Sequence, residues 1–175
     1  EVFTLKKAFL AMILGLFLAA CSDDSAQTNE ELKETIEKGT VGYEIVDGKV
    51  EAAQNVPADV EKEILTALDE YIVSFNEKDL QRFEQTVSKQ DDTYFYETMK
   101  EAEAVFEQYS IIERQTEDVT ISKYEDSRVE VFFNINGRVV EAETESEMAA
   151  SARQIIVMVK EADTWKVSSV HSINM

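Results

Sequence analysis

The stretch Ala67-Leu68-Asp69-Glu70-Tyr71-Ile72-Val73-Ser74-Phe75-Asn76-Glu77-Lys78-Asp79-Leu80 decides the fold, because one amphipathic helix stops inside it and a second begins. Upstream, apolar residues stand at Val60, Ile64, Leu68, Tyr71, Ile72 and Phe75. That spacing is one face of a helix about five turns long. Asp59 is placed to cap its start, and Glu61 and Glu63 sit favourably at the positive end of the helix dipole. Asn76-Glu77-Lys78-Asp79 breaks the pattern, and Asp79 can cap a short helix carrying Leu80, Phe83 and Val87 on one side. A third helix follows Asp91-Asp92, with Phe95, Met99, Ala102, Phe106 and Tyr109 on one face.

After Tyr109 the period changes from helical to two. Val119 to Ser122, Val129 to Ile135, Gln154 to Lys160 and Trp165 to Ile173 read as strands. Turn residues separate them at Glu125-Asp126-Ser127, Asn136-Gly137 and Ala162-Asp163-Thr164. Arg138 to Ala150 reads either as a continued strand or as a wide loop. Helices followed by an antiparallel meander is the α+β order, in which the helices cover one face of a curved sheet.

The quoted helix junction, the third helix from Asp92 to Tyr109, and the closing Thr164-Trp165-Lys166-Val167 together resemble the NTF2-like superfamily. That superfamily shares its cone-shaped α+β fold with ketosteroid isomerase and SnoaL. The resemblance covers about residues 58–174 and implies an NTF2-like cone, with N-terminal helices packed on a curved antiparallel sheet. It implies little chemistry, because the fold carries isomerases, dehydratases and inert binding modules. In its enzymes the reaction is run from the open end of the cone by an Asp or His base, with Tyr or Asp donors.

The other end of the chain reads as an address. Lys6 and Lys7 precede an uncharged run from Ala8 to Ala20, and the chain turns polar at Ser22-Asp23-Asp24. Those thirteen residues span roughly 20 Å as a helix, short of the ~30 Å hydrocarbon core, so a secretory signal fits better than a membrane span. Leu18-Ala19-Ala20-Cys21 resembles a bacterial lipobox, which implies cleavage before Cys21, lipidation of its sulfur and an extracytoplasmic place in the cell envelope. The chain carries 36 acidic against 17 basic residues, a net charge of −19, so an anionic membrane would repel it and the lipid must be the anchor. Residues 21–40 are then a lipidated Cys and flexible acidic tether, 41–56 a short hairpin lead-in around Asp47-Gly48, and 57–175 the NTF2-like domain.

The same composition excludes function classes. A nucleic-acid binder needs clustered Lys and Arg. One Cys and one His exclude a disulfide scaffold and a zinc finger. The acidic runs at Asp91-Asp92 and Glu141 to Glu147 match no calcium-loop spacing, and no cofactor fingerprint is present, so no cofactor or metal is expected.

Within the domain, His171 is the candidate general base. Strict alternation gives it the parity of Trp165, Val167, Ser169 and Ile173, toward the helices. No Asp or Glu can be named to orient it, which favours a merely hydrogen-bonded histidine and a non-catalytic module that binds a protein, an envelope component or a small ligand. Candidate ligand contacts are Tyr71, Phe75, Tyr96, Met99, Arg153 and Trp165, although aromatics at helical spacing are more often core. Arg153 shares the parity of Ile155, Val157 and Val159, which are expected to face inward with Val129, Val131, Phe133 and Ile135. The opposite parity should then meet water, as Glu130 and Asn134 suit. Phe132, Ile156, Met158 and Val170 break that rule and predict an apolar outer patch through which two copies pair, or on which the lead-in hairpin docks.

Overall fold

The structure is a computed structural model that describes residues 45–46 and 49–173. The stretches read above as signal peptide and tether, Cys21 included, lie outside the described residues. The first described elements are two short strands, β1 (Ile45–Val46) and β2 (Lys49–Val50), paired antiparallel as the Asp47-Gly48 signal predicts. The lead-in then meets the domain: the Ala53 amide donates to the Ile121 carbonyl at 2.8 Å, and Ala53 and Val56 pack against the core.

Three helices follow: α1 (Ala58–Asn76), α2 (Leu80–Thr86) and α3 (Asp92–Gln108). α1 starts two residues earlier than expected. Pro57, not Asp59, is its N-cap, and Asp59 sits in the first turn. Proline's fixed φ and missing amide hydrogen cost nothing at a helix entry. α2 and α3 start as expected, because Asp79 accepts from the Arg82 amide at 3.0 Å and Asp91 from the Thr93 and Tyr94 amides.

The sheet is a four-stranded antiparallel meander, β3 (Tyr109–Glu125), β4 (Arg128–Glu141), β5 (Glu147–Glu161) and β6 (Thr164–Ile173), in chain order. All but β6 are longer than their apolar runs. β3 leaves the end of α3 directly, ten residues before Val119. β4 and β5 absorb Arg138 to Ala150 as strand, apart from a tight turn between Glu141 and Glu147. The β5–β6 turn is a two-residue hairpin, with Ala162 (φ 46°) and Asp163 (φ 66°) both in the left-handed region.

The inner face of the sheet carries Val129, Val131, Phe133 and Ile135 against Ile64, Leu68, Ile72 and Phe75 of α1. The expected parity of β5 is inverted. Val129 pairs with Met158 and Val131 with Ile156, so Ile156 and Met158 are fully buried in the core, while Ile155 and Val157 face outward beside Phe132 and Glu130. The run Ile155-Ile156-Val157-Met158-Val159 is apolar at both parities, so periodicity cannot mark its inner side.

β6 holds a second departure. Met158 pairs with Val167 but Val157 pairs with Ser169, leaving Ser168 as an extra residue in β6. The Ser168 hydroxyl donates to the Val157 carbonyl at 3.2 Å. Such a bulge exchanges the two faces of a strand beyond it. Trp165 and Val167 face the helices as expected; past Ser168 it is Val170 and Ser172 that do.

Candidate functional site

Between the helices and the C-terminal half of the sheet lies a cavity of about 340 Å³. Its apolar wall begins with Tyr71 and Phe75, one turn apart at the end of α1, and continues to Phe83 of α2. These rings brace one another: Tyr71 and Phe83 centroids are 5.2 Å apart, and Phe75 meets Phe83 edge-on at 5.1 Å. Phe106 of α3 closes the cluster 4.9 Å from Phe75. Edge-on ring pairs of this kind stabilise by about 1 kcal/mol beyond their burial.

The polar wall comes mainly from α3. Tyr94, Thr98 and Glu101 are spaced four and three apart, which stacks them along one helix face. Gln154 from β5 and Ser172 from β6 complete it. Glu101 is half-buried, and loss of water, then the Glu97 carboxylate, raise its pKa above the ordinary 4.5. Burial also raises the Tyr71 and Tyr94 hydroxyls above their usual range.

Behind this wall stands Arg114, which the sequence reading missed. It lies on β3, is 5% exposed, and holds its guanidinium 3.5 Å from the centre of the Phe75 ring. Burial lowers its pKa to about 10; the Tyr71 hydroxyl works against that shift. Asn76 places it. The Asn76 side-chain amide donates to the Arg114 carbonyl and its oxygen accepts from the Arg114 amide, both at 3.0 Å. The end of α1 thus pairs with the free edge of β3 as a further strand would. Lys78 (φ 58°) adds a bond from Nζ to the Tyr109 carbonyl at 2.7 Å.

Of the residues expected to contact a ligand, Tyr71 and Phe75 line the cavity. Trp165 is buried in the core near Lys160, Met99 packs against the core from α3, and Tyr96 is 68% exposed. Arg153 is exposed on the outer face, where it pairs in register with Asn134. His171 also faces outward, against expectation, because the Ser168 bulge reverses its side. It is exposed, with Nε2 3.0 Å from the Ser169 hydroxyl. Loss of water lowers its pKa; Glu130 opposes that and Arg128 adds to it.

The outer patch is also redrawn. Ile156 and Met158 belong to the core, Val170 lines the cavity, and only Phe132 keeps its expected side, with Ile155 and Val157 as neighbours. Glu130, expected to meet water, is fully buried there, bonded to Arg128 Nη1 at 2.7 Å and near Lys123 Nζ at 3.6 Å.

No family model and no curated protein matches the sequence. Solved structures do. An NTF2-like superfamily protein from Salmonella enterica serovar Typhimurium superposes with a TM-score of 0.59 at 12% identity, over 67% of this chain and 92% of that one. A protein of the NTF2-like family from Streptomyces avermitilis gives 0.59 at 11% identity, over 67% of this chain and 97% of that one. A hexachlorocyclohexane dehydrochlorinase, LinA-type3, from Novosphingobium barchaimii gives 0.55 at 7% identity, over 66% and 86%. At such identities the likeness speaks to architecture alone. Three helices on a curved four-stranded meander, closing over a cavity at one end of the sheet, give this domain the NTF2-like α+β cone fold.

Proposed function

We propose that the chain is a lipid-anchored, extracytoplasmic NTF2-like module whose cone binds a small ligand without transforming it. The observation that carries the binding part is the cavity itself: about 340 Å³, walled by braced aromatic rings and a few convergent polar groups. That is the usual make-up of a small-molecule site, at the small end of the size range. The non-catalytic part is supported by His171, which stands on the opposite face of the sheet from the cavity and cannot act as a base inside it. The anchor is supported by the Lys6 to Cys21 pattern alone.

Calorimetric titration with 4-ethylphenol tests the binding part. Binding to wild type and its loss in Phe83→Trp, which fills the space beside Tyr71, is the expected result; no heat from wild type with 4-ethylphenol or with its amine and carboxylate analogues would overturn it. Labelling with a radioactive fatty acid tests the anchor. Wild type should carry label in the membrane fraction and Cys21→Ser should not. A labelled, membrane-bound Ser variant would sink the lipoprotein reading.

A further inference from the structure

Among the described residues, the cavity's wall holds one ionisable carboxyl, Glu101, and no cation. Glu101 makes no ion pair among the described residues. A half-buried carboxylate without a counter-charge is costly, and proteins meet that cost by neutralising or pairing it. Four aromatic rings, Tyr71, Phe75, Phe83 and Tyr94, stand around the same space. Aromatic rings attract cations through their negative faces, and Phe75 already holds a guanidinium on one face.

We propose that the ligand of this cavity is a small organic amine, its ammonium paired with Glu101 and its apolar part among the four rings. The inference rests on the ligand-binding reading above and deepens it.

Charge decides against the alternatives. An anionic ligand would meet Glu101 directly and Glu97 one turn away on the same helix. Among the described residues Arg114 is a nearby cation that could favour one, but it is not part of the wall, and its guanidinium is engaged by the Phe75 face and the Tyr71 hydroxyl. A neutral ligand would fill the cavity and leave the carboxylate uncompensated. The net charge of −19 adds a long-range bias, because a negative protein concentrates small cations near its surface. The volume sets the size, on the order of a dozen heavy atoms, so an arylalkylamine fits and a polyaromatic does not.

Three phenols of equal shape and different charge test this on the full chain: tyramine, 4-ethylphenol and 4-hydroxyphenylacetate. Tyramine should bind at least tenfold more tightly than either of the others. Glu101→Gln should weaken tyramine at least tenfold while keeping the helical circular dichroism signal of wild type, which shows that the variant is folded. If 4-ethylphenol or 4-hydroxyphenylacetate equals tyramine, or Glu101→Gln leaves tyramine unchanged, the amine assignment is wrong while ligand binding by the cone stands. If none of the three binds, the ligand-binding reading falls and this assignment with it.

Discussion

Asn76 is the residue through which the helical layer grips the edge of the sheet, and its removal has a calculable cost. β3 is an outer strand, and the amide and carbonyl of Arg114 that turn away from β4 have Asn76 as their partner. Asn76→Ala deletes both bonds. A side-chain to backbone bond contributes about 1 kcal/mol net, so the pair contributes about 2 kcal/mol; the site is only part-buried, so water can replace some of it and the full desolvation penalty does not apply. For a domain of this size, with an unfolding entropy of about 2.1 cal/mol/K per residue, 2 kcal/mol lowers Tm by about 8 °C. Thermal and urea unfolding followed by circular dichroism measure this directly. Asn76→Asp keeps the acceptor but sets a carboxylate oxygen against the Arg114 carbonyl, so it should cost at least as much as alanine. Arg114 is positioned by the same bonds, so either variant should also loosen the stack on Phe75 and weaken ligand binding. An alanine variant within 0.5 kcal/mol of wild type would refute this account of how the helices are fastened.

Asp79→Ala and Asp91→Ala each remove a helix cap and should each cost about 1 kcal/mol in urea unfolding. Ala162→Gly should stabilise by about 0.5–1 kcal/mol, because alanine there holds a left-handed φ of 46° that glycine adopts without penalty. Glu101 sets a pH dependence whose sign follows from its raised pKa. The folded state holds that proton more tightly than the unfolded chain, so stability falls as pH rises above about 4.5 through the folded pKa. Glu101→Gln should therefore match wild type at pH 4 and exceed it at pH 7, and a variant no more stable at pH 7 would contradict the strain assigned to this carboxylate. Deleting Ser168 should abolish 4-ethylphenol binding, with the helical circular dichroism signal retained; unchanged affinity would show that β6 beyond the bulge does not shape the cavity.

The helices were legible because their signals are local. Apolar spacing on α1 and α3 and the aspartates at 79 and 91 act within a few residues, so they can be read without knowing the partner surfaces. The strands were legible only where apolar residues alternate or run together. Tyr109 to Asp118 hid because its inward positions after Ile112 are Arg114 and Thr116, polar residues that look like a loop until the strand is seen paired to β4. The two faces of β5 could not be told apart, since five consecutive apolar residues fit either side. Of the site, Tyr71 and Phe75 were found from helical spacing, and Glu101 and Gln154 were not, because a carboxylate on a helix and a glutamine in a strand carry no sign of what they face.

His171 shows how a single residue can redirect a functional reading. Its candidacy depended on strict alternation from Trp165, which holds through Val167 and fails at Ser168. The residue that breaks it is unremarkable in sequence: Ser168 and Ser169 suit a strand equally well, and only pairing with β5 reveals which of them is extra. Pairing also explains why the bulge is favoured. With it, Val170 faces the cavity opposite Ile156 and Ser172 lies beside Gln154, while His171 and Ser169 bond to one another on the outer face, near the buried Glu130. Without it, strict alternation would turn His171 toward the aromatic wall and Val170 and Ser172 away from it. The cone thus keeps His171 out of the cavity and Glu101 in its wall, the placement on which the proposed amine site rests.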